Sequence, residues 1–155
     1  MATNFNWDPI DPDPNHLNGT LNVAVLDLDQ NPNQVLQTNL AWQIKVDWSI
    51  FGPDAPAIGG DWHVQASIES IGPGPEVIVG TAVVPVSNAA PAFTRSYSTT
   101  ITVPVGKIKS DGTEDGVYML ALLIAHTNTG AGVTRKDKMA GFSEGPMLHF
   151  YTPQV

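Results

Sequence analysis

The sequence predicts an all-β protein, an antiparallel seven-strand sandwich preceded by an extended arm. Three observations carry this. Apolar residues recur at every second position in one segment after another, most plainly in "LAWQIKVDWSI" over residues 40–50. Successive side chains of a strand point to opposite faces, so this beat buries one face and wets the other. The segments are separated by "GPDAPAIGG", "GPGP", "SNAAPA" and "SDGTEDG", which are turn compositions. No segment makes a convincing case for a helix, and no internal repeat is visible.

The elements follow in order. Residues 1–18 are rich in Pro, Asp and Asn, with "DPIDPDPN" at their centre, and the prolines at 9, 12 and 14 forbid a helix there. This stretch reads as an extended arm, and residues 19–155 as one sandwich domain. The first strand is expected over 20–28. The second covers 40–50, with Leu40, Trp42, Ile44, Val46, Trp48 and Ile50 inward. The third covers 61–70, with Trp62, Val64, Ala66 and Ile68 inward, and the fourth 76–86. The fifth covers 93–105, with Phe93, Tyr97, Ile101 and Val103 alternating with Thr and Ser. The sixth covers 116–127. Val117 to Ala125 has helical propensity, but Gly116 and the following "NTGAG" favour a strand. The seventh covers 146–152.

The stretch "EDGVYML" sharpens the fold. Glu114 lies four residues before Tyr118, and Gly116 two before it. This resembles the tyrosine corner of immunoglobulin-like domains, with Leu120 where antibody domains carry a cysteine. The resemblance is to the broad immunoglobulin-like class. It implies strands one, two, five and four in one sheet and three, six and seven in the other. The loops over 52–60, 87–92 and 128–145 would then share one end, where the arm also enters.

Composition narrows the functional classes. The chain has 155 residues, enough to bury a core without a disulfide or metal staple. It has no cysteine, so thiolate chemistry is excluded. Its first residues carry no Lys or Arg and no apolar core, so no signal peptide is read there. That weakly favours cytoplasmic synthesis over secretion. The longest apolar run, "VYMLALLIA", is too short for a membrane span. With 15 acidic and 7 basic residues the net charge is −8, which makes nucleic acid and anionic membranes poor partners. Charged residues make up only 14% of the chain, and a weakly charged surface is cheaply desolvated by another protein.

The candidate site follows from the sixth strand. If Tyr118, Leu120, Leu122 and Ile124 face inward, the outward set is Val117, Met119, Ala121, Leu123 and Ala125, with no polar residue. An open sheet face normally alternates to polar. Met119, Leu123, His149 and Tyr151 are therefore expected in a protein interface, with Phe5 and Trp7 of the arm as anchors. The long sixth-to-seventh loop holds Arg135, Lys136 and Lys138, three of the seven basic residues, as a candidate binding tip for a carboxylate-rich partner.

Catalytic and metal chemistry find little support. His16, His63, His126 and His149 show no metal-ligand spacing, although His63 and His149 would lie roughly 10 Å apart if only one strand separated them. No serine sits in a G-x-S-x-G context. Asp27 with Asp29, and Asp11 with Asp13, echo calcium loops but lack the required Gly and Glu, so Asx-turns are the default. Trp42, Trp48 and Trp62 share the phase of the core, which argues against a sugar-stacking platform. The expectation is a non-catalytic structural or adaptor subunit of a larger assembly, a homo-oligomer or multi-subunit complex, with no metal and no cofactor. The alternative is an extracellular carbohydrate- or ligand-binding module that uses the loop end.

Overall fold

The computed structural model describes residues 2–4, 16–130 and 133–154, with side chains over 16–128 and 140–154. Among these residues are nine strands: β1 (Ala2–Asn4), β2 (Asn18–Leu26), β3 (Val35–Gln37), β4 (Trp42–Phe51), β5 (Asp61–Ser70), β6 (Glu76–Pro85), β7 (Thr94–Val103), β8 (Gly116–Gly130) and β9 (Val133–Tyr151). One sheet has the order β1-β2-β4-β7, the three-residue β1 lying on the edge of three long strands. The other has the order β3-β9-β8-β5-β6. The all-β class and the sandwich therefore stand, but the strand count and the pairing differ from expectation in three ways.

First, β6 belongs with β5, not with the sheet of β2, β4 and β7. The turn between β5 and β6 spans only residues 71–75, and Ser70 Oγ accepts the N–H groups of Gly72 and Gly74, both at 3.1 Å. A connection this short closes a hairpin rather than crossing between layers. Second, the eighteen-residue loop expected over 128–145 is absent: β8 and β9 continue their backbone pairing to Gly130↔Val133. The register shifts between Met119 and Ala121 and again between Ala125 and Thr127. Such irregularities break the two-residue alternation by which a strand is read from sequence. Third, β3 pairs parallel with β9, Val35 opposite His149 and Gln37 opposite Tyr151, so that sheet is mixed. Two apolar residues expected inward also lie outside the strands: Leu40 and Phe93 precede β4 and β7 and are 52% and 69% exposed.

The core forms where the inner faces meet. Trp42, Ile44, Val46, Trp48 and Ile50 of β4 oppose Trp62, Val64, Ala66 and Ile68 of β5 and Tyr118, Leu120, Leu122 and Ile124 of β8, all buried. Trp48 stacks on Tyr97 with centroids 5.6 Å apart and meets Trp62 edge-on at 6.3 Å. Such aromatic pairs contribute about 0.5–1.5 kcal/mol beyond the area they bury. At one end of the core the Tyr118 hydroxyl donates to the Glu114 carbonyl at 2.7 Å, which closes the tyrosine corner.

The other end is closed by a buried cation. Arg95 follows the inward phase of β7, with Tyr97, Ile101 and Val103, and is 3% exposed. Its guanidinium donates to the carbonyls of Ala55 and Ile58 around one 3-10 turn (Ala55–Ala57), and to those of Val86 and Ala89 around another (Val86–Asn88). Gly60 fits between these turns and β8 because it has no side chain. Its φ is +92°, and a Cβ would fall 2.1 Å from the Thr127 carbonyl oxygen.

Candidate functional site

The candidate site is the outer face of the five-stranded sheet. Its composition follows from register. Val83, His63 and Ala125 form one row across β6, β5 and β8, with Ala140 of β9 beyond. Thr81, Gln65, Leu123 and Phe142 form the next, then Ile78, Ser67, Ala121 and Glu144, then Glu76, Glu69, Met119 and Met147. Val117, His149 and Val35 close the series at the β3 corner. From Val117 to Ala125 the outward residues of β8 are apolar throughout and the inward ones are buried, as the phase of the sequence implies.

The exposure is uneven and large. Ile78, Val83, Val117, Leu123, Phe142, Met147 and Val35 are each between 39% and 59% exposed, and all lie on this face. Its charged groups are Asp61, Glu69, Glu76 and Glu144, and no Lys or Arg side chain stands among the described residues of the face. The arrangement is an apolar strip on β8 and β9, separated from Ile78 and Val83 of the edge strand β6 by the polar column His63, Gln65, Ser67 and Glu69 of β5. Beside it, a cleft of about 960 Å³ opens between β2 and β9, lined by Val23, Val25, Pro32, Met119, Pro146 and Met147.

Four of the residues singled out from sequence share the face: Met119 and Tyr151 half-buried, Leu123 and His149 exposed. Phe5 and Trp7, and the side chains of Arg135, Lys136 and Lys138, lie outside the described residues. The backbone of those three basic residues belongs to β9 rather than to a loop. Sequence reasoning misses Ile78 and Val83 because it places β6 in the opposite sheet, and Phe142 because it places that residue in a loop. The short "GPGP" turn, which makes β6 the hairpin partner of β5, is the signal that finds the first two.

The other chemistry resolves into structure. His63 pairs in register with Ala125 and His149 with Val117, eight residues apart along β8, so the two rings sit at opposite ends of the sheet and not across one strand. His63 Nε2 lies 2.8 Å from Thr127 Oγ1. His126 is buried edge-on against Trp62, its Nε2 at the Gly59 carbonyl. Asp27 Oδ1 accepts the N–H groups of Asp29 and Asn31, each at 2.9 Å, which is an Asx-turn. Among the described residues no group of three or more His, Cys, Asp or Glu side chains is placed to hold a metal ion. Trp42, Trp48 and Trp62 are in the core.

No protein-family model matches the chain, and neither does any curated protein. Among solved structures it is similar to the C-terminal domain of wzt, with a TM-score of 0.49 and 10% identity over 85% of this chain and 72% of that one. It is also similar to β-glucosidase from Listeria innocua in complex with gluconolactone, with a TM-score of 0.48 and 9% identity over 87% of this chain. That overlap spans 17% of the glucosidase chain. At these values the likeness assigns neither a family nor a function.

Proposed function

We propose that the protein is a non-catalytic structural or adaptor unit that associates through the outer face of its five-stranded sheet. One observation carries the reading: the outward side of β8 has no polar residue from Val117 to Ala125, and exposed Phe142 and Met147 of β9 widen that apolar strip on one side, while the polar His63, Gln65, Ser67 and Glu69 of β5 border it on the other. A sheet face that meets only water alternates to polar. A contiguous apolar patch rimmed by polar groups is the usual form of an association surface. Low overall charge supports the same reading, because few charged groups must be desolvated when the face is covered.

The test is the mass of the wild type and of the double variant Met119→Asp, Leu123→Asp by light scattering across a concentration series, with circular dichroism to establish that both are folded. The wild type is expected to exceed monomer mass and the variant to be lighter than the wild type, by the association that the face supplies. Two folded proteins of the same mass would contradict the reading.

A further inference from the structure

We infer that the outer edge of β6 is a strand-pairing site, and that its partner is β6 of a second copy, antiparallel across a two-fold axis. This goes beyond association through the sheet face: it concerns the edge of the sheet, and neither interface depends on the other.

The edge is long and open. β6 runs ten residues and is the terminal strand of its sheet. Its outermost pairing is with β5, and among the described residues no other strand takes the opposite edge. Neighbouring β7 belongs to the other sheet, against which β6 is packed closely enough that a Cβ on Gly80 would fall 2.3 Å from Ile101 Cγ2. Proteins normally guard such an edge with Lys, with Pro or by covering it. In "EVIVGTAVVP" there is no Lys, the proline is the last residue, and the one charge is Glu76 at the start. A bulge is present, but its effect here is to make the strand self-complementary.

That effect is visible in the register. Ser67 pairs with Ile78 and Ala66 with Gly80, so Val79 is the extra residue. The extra residue reverses the phase of the strand. Glu76 and Ile78 before it, and Thr81, Val83 and Pro85 after it, are all exposed, whereas Val79 and Val84 are buried. Two copies arranged antiparallel about the Gly80–Thr81 bond would place Ile78 against Val83, Val77 against Val84, and Glu76 against Pro85. Each of these pairs joins residues of the same face, which an uninterrupted strand of alternating phase would not allow in that register. The most exposed apolar side chains of the edge, Ile78 at 53% and Val83 at 59%, would cover one another, and no like charges would be opposed. Such an isologous contact closes on itself as a dimer and joins two five-stranded sheets into one.

A charge-swap experiment tests this. The chain has no cysteine, so labelled and unlabelled copies can be mixed without thiol exchange. One variant carries Ile78→Lys and Val83→Lys, the other Ile78→Glu and Val83→Glu. In the antiparallel register every Lys of one faces a Glu of the other. Each variant alone is expected to lose the edge contact, halving the wild-type mass, and an equimolar mixture to restore it as a one-to-one heterodimer. The Met119→Asp, Leu123→Asp variant is expected to keep the edge dimer. The inference is overturned if the wild type is monomeric throughout the concentration series, if the Lys pair leaves the wild-type mass unchanged, or if mixing restores nothing while both variants are folded. Loss of association in the Met119/Leu123 variant with none in the Lys pair would overturn the edge contact and leave the face reading standing.

Discussion

The hydroxyl of Tyr118 donates to the backbone carbonyl of Glu114 at 2.7 Å, and so ties the start of β8 to the turn that precedes it. The same turn is held from its other side. Glu114 Oε2 accepts the Lys109 N–H at 2.9 Å, and Asp115 accepts both the N–H and the hydroxyl of Thr152 at 2.8 and 2.7 Å. Tyr118→Phe removes the corner bond while keeping the ring that meets Phe150 edge-on at 5.4 Å. The expected loss is about 1 kcal/mol, the net worth of a hydrogen bond of this kind. A lower urea midpoint with an unchanged slope is the predicted signature, and an unmoved midpoint would show the bond to be dispensable.

The two buried tyrosines make stability sensitive to alkali. Burial pushes the Tyr97 hydroxyl above its ordinary value, partly offset by the Arg95 charge. Burial also raises Tyr118, and the carboxylates of Glu114 and Asp115 raise it further. A group whose folded value is raised contributes its full stabilisation below the unfolded value, about 10 for tyrosine, and loses it as pH climbs through the folded value. The melting temperature should therefore fall as pH rises beyond about 10. Tyr97→Phe and Tyr118→Phe should each flatten that decline, and an identical decline in both variants would exclude the tyrosines as its source.

Arg95 is expected to be the most sensitive single position at its end of the sandwich. It places four N–H···O bonds on carbonyls 2.7 to 3.1 Å away, from two separate 3-10 turns. Arg95→Met removes all four bonds, and although the Val86 carbonyl keeps the Tyr97 hydroxyl and the Ala55 carbonyl keeps the Ile58 N–H, the loss should cost about 3 kcal/mol or more. Arg95→Lys keeps the charge but not the planar fork, so it should recover only part of the loss. Chemical denaturation of the three proteins orders them wild type, Lys, Met. A Lys variant as stable as wild type would mean that charge alone suffices.

How far the sequence reveals this molecule depends on what each feature requires. The inward phases of β4, β5 and β8 are legible because each buries one face against the same core, so Trp48, Trp62 and Tyr118 mark their own positions. The corner bond is legible because its two partners are four residues apart. The sheet assignment of β6 is not, since either layer offers β6 a buried inner face and only the length of the 71–75 turn decides between them. The continuation of β9 is hidden by the same register shifts that interrupt its pairing with β8. Arg95 is invisible as a buried clamp because its four acceptors are backbone carbonyls, which carry no side-chain signature. For the candidate site, the apolar phase of β8 is plain, but its breadth depends on neighbours that only the pairing supplies.

Oxidative footprinting of methionine, read by mass spectrometry at low and at high protein concentration, tests the central claim most directly. Met119 and Met147 are cross-strand partners on the outer face of the five-stranded sheet, Met147 being 44% exposed. If that face is the association surface, Met147 oxidises readily in dilute solution and several-fold more slowly once the protein is concentrated, while the Met119→Asp, Leu123→Asp double variant shows no such protection. Equal oxidation of Met147 at both concentrations in the wild type would contradict the account.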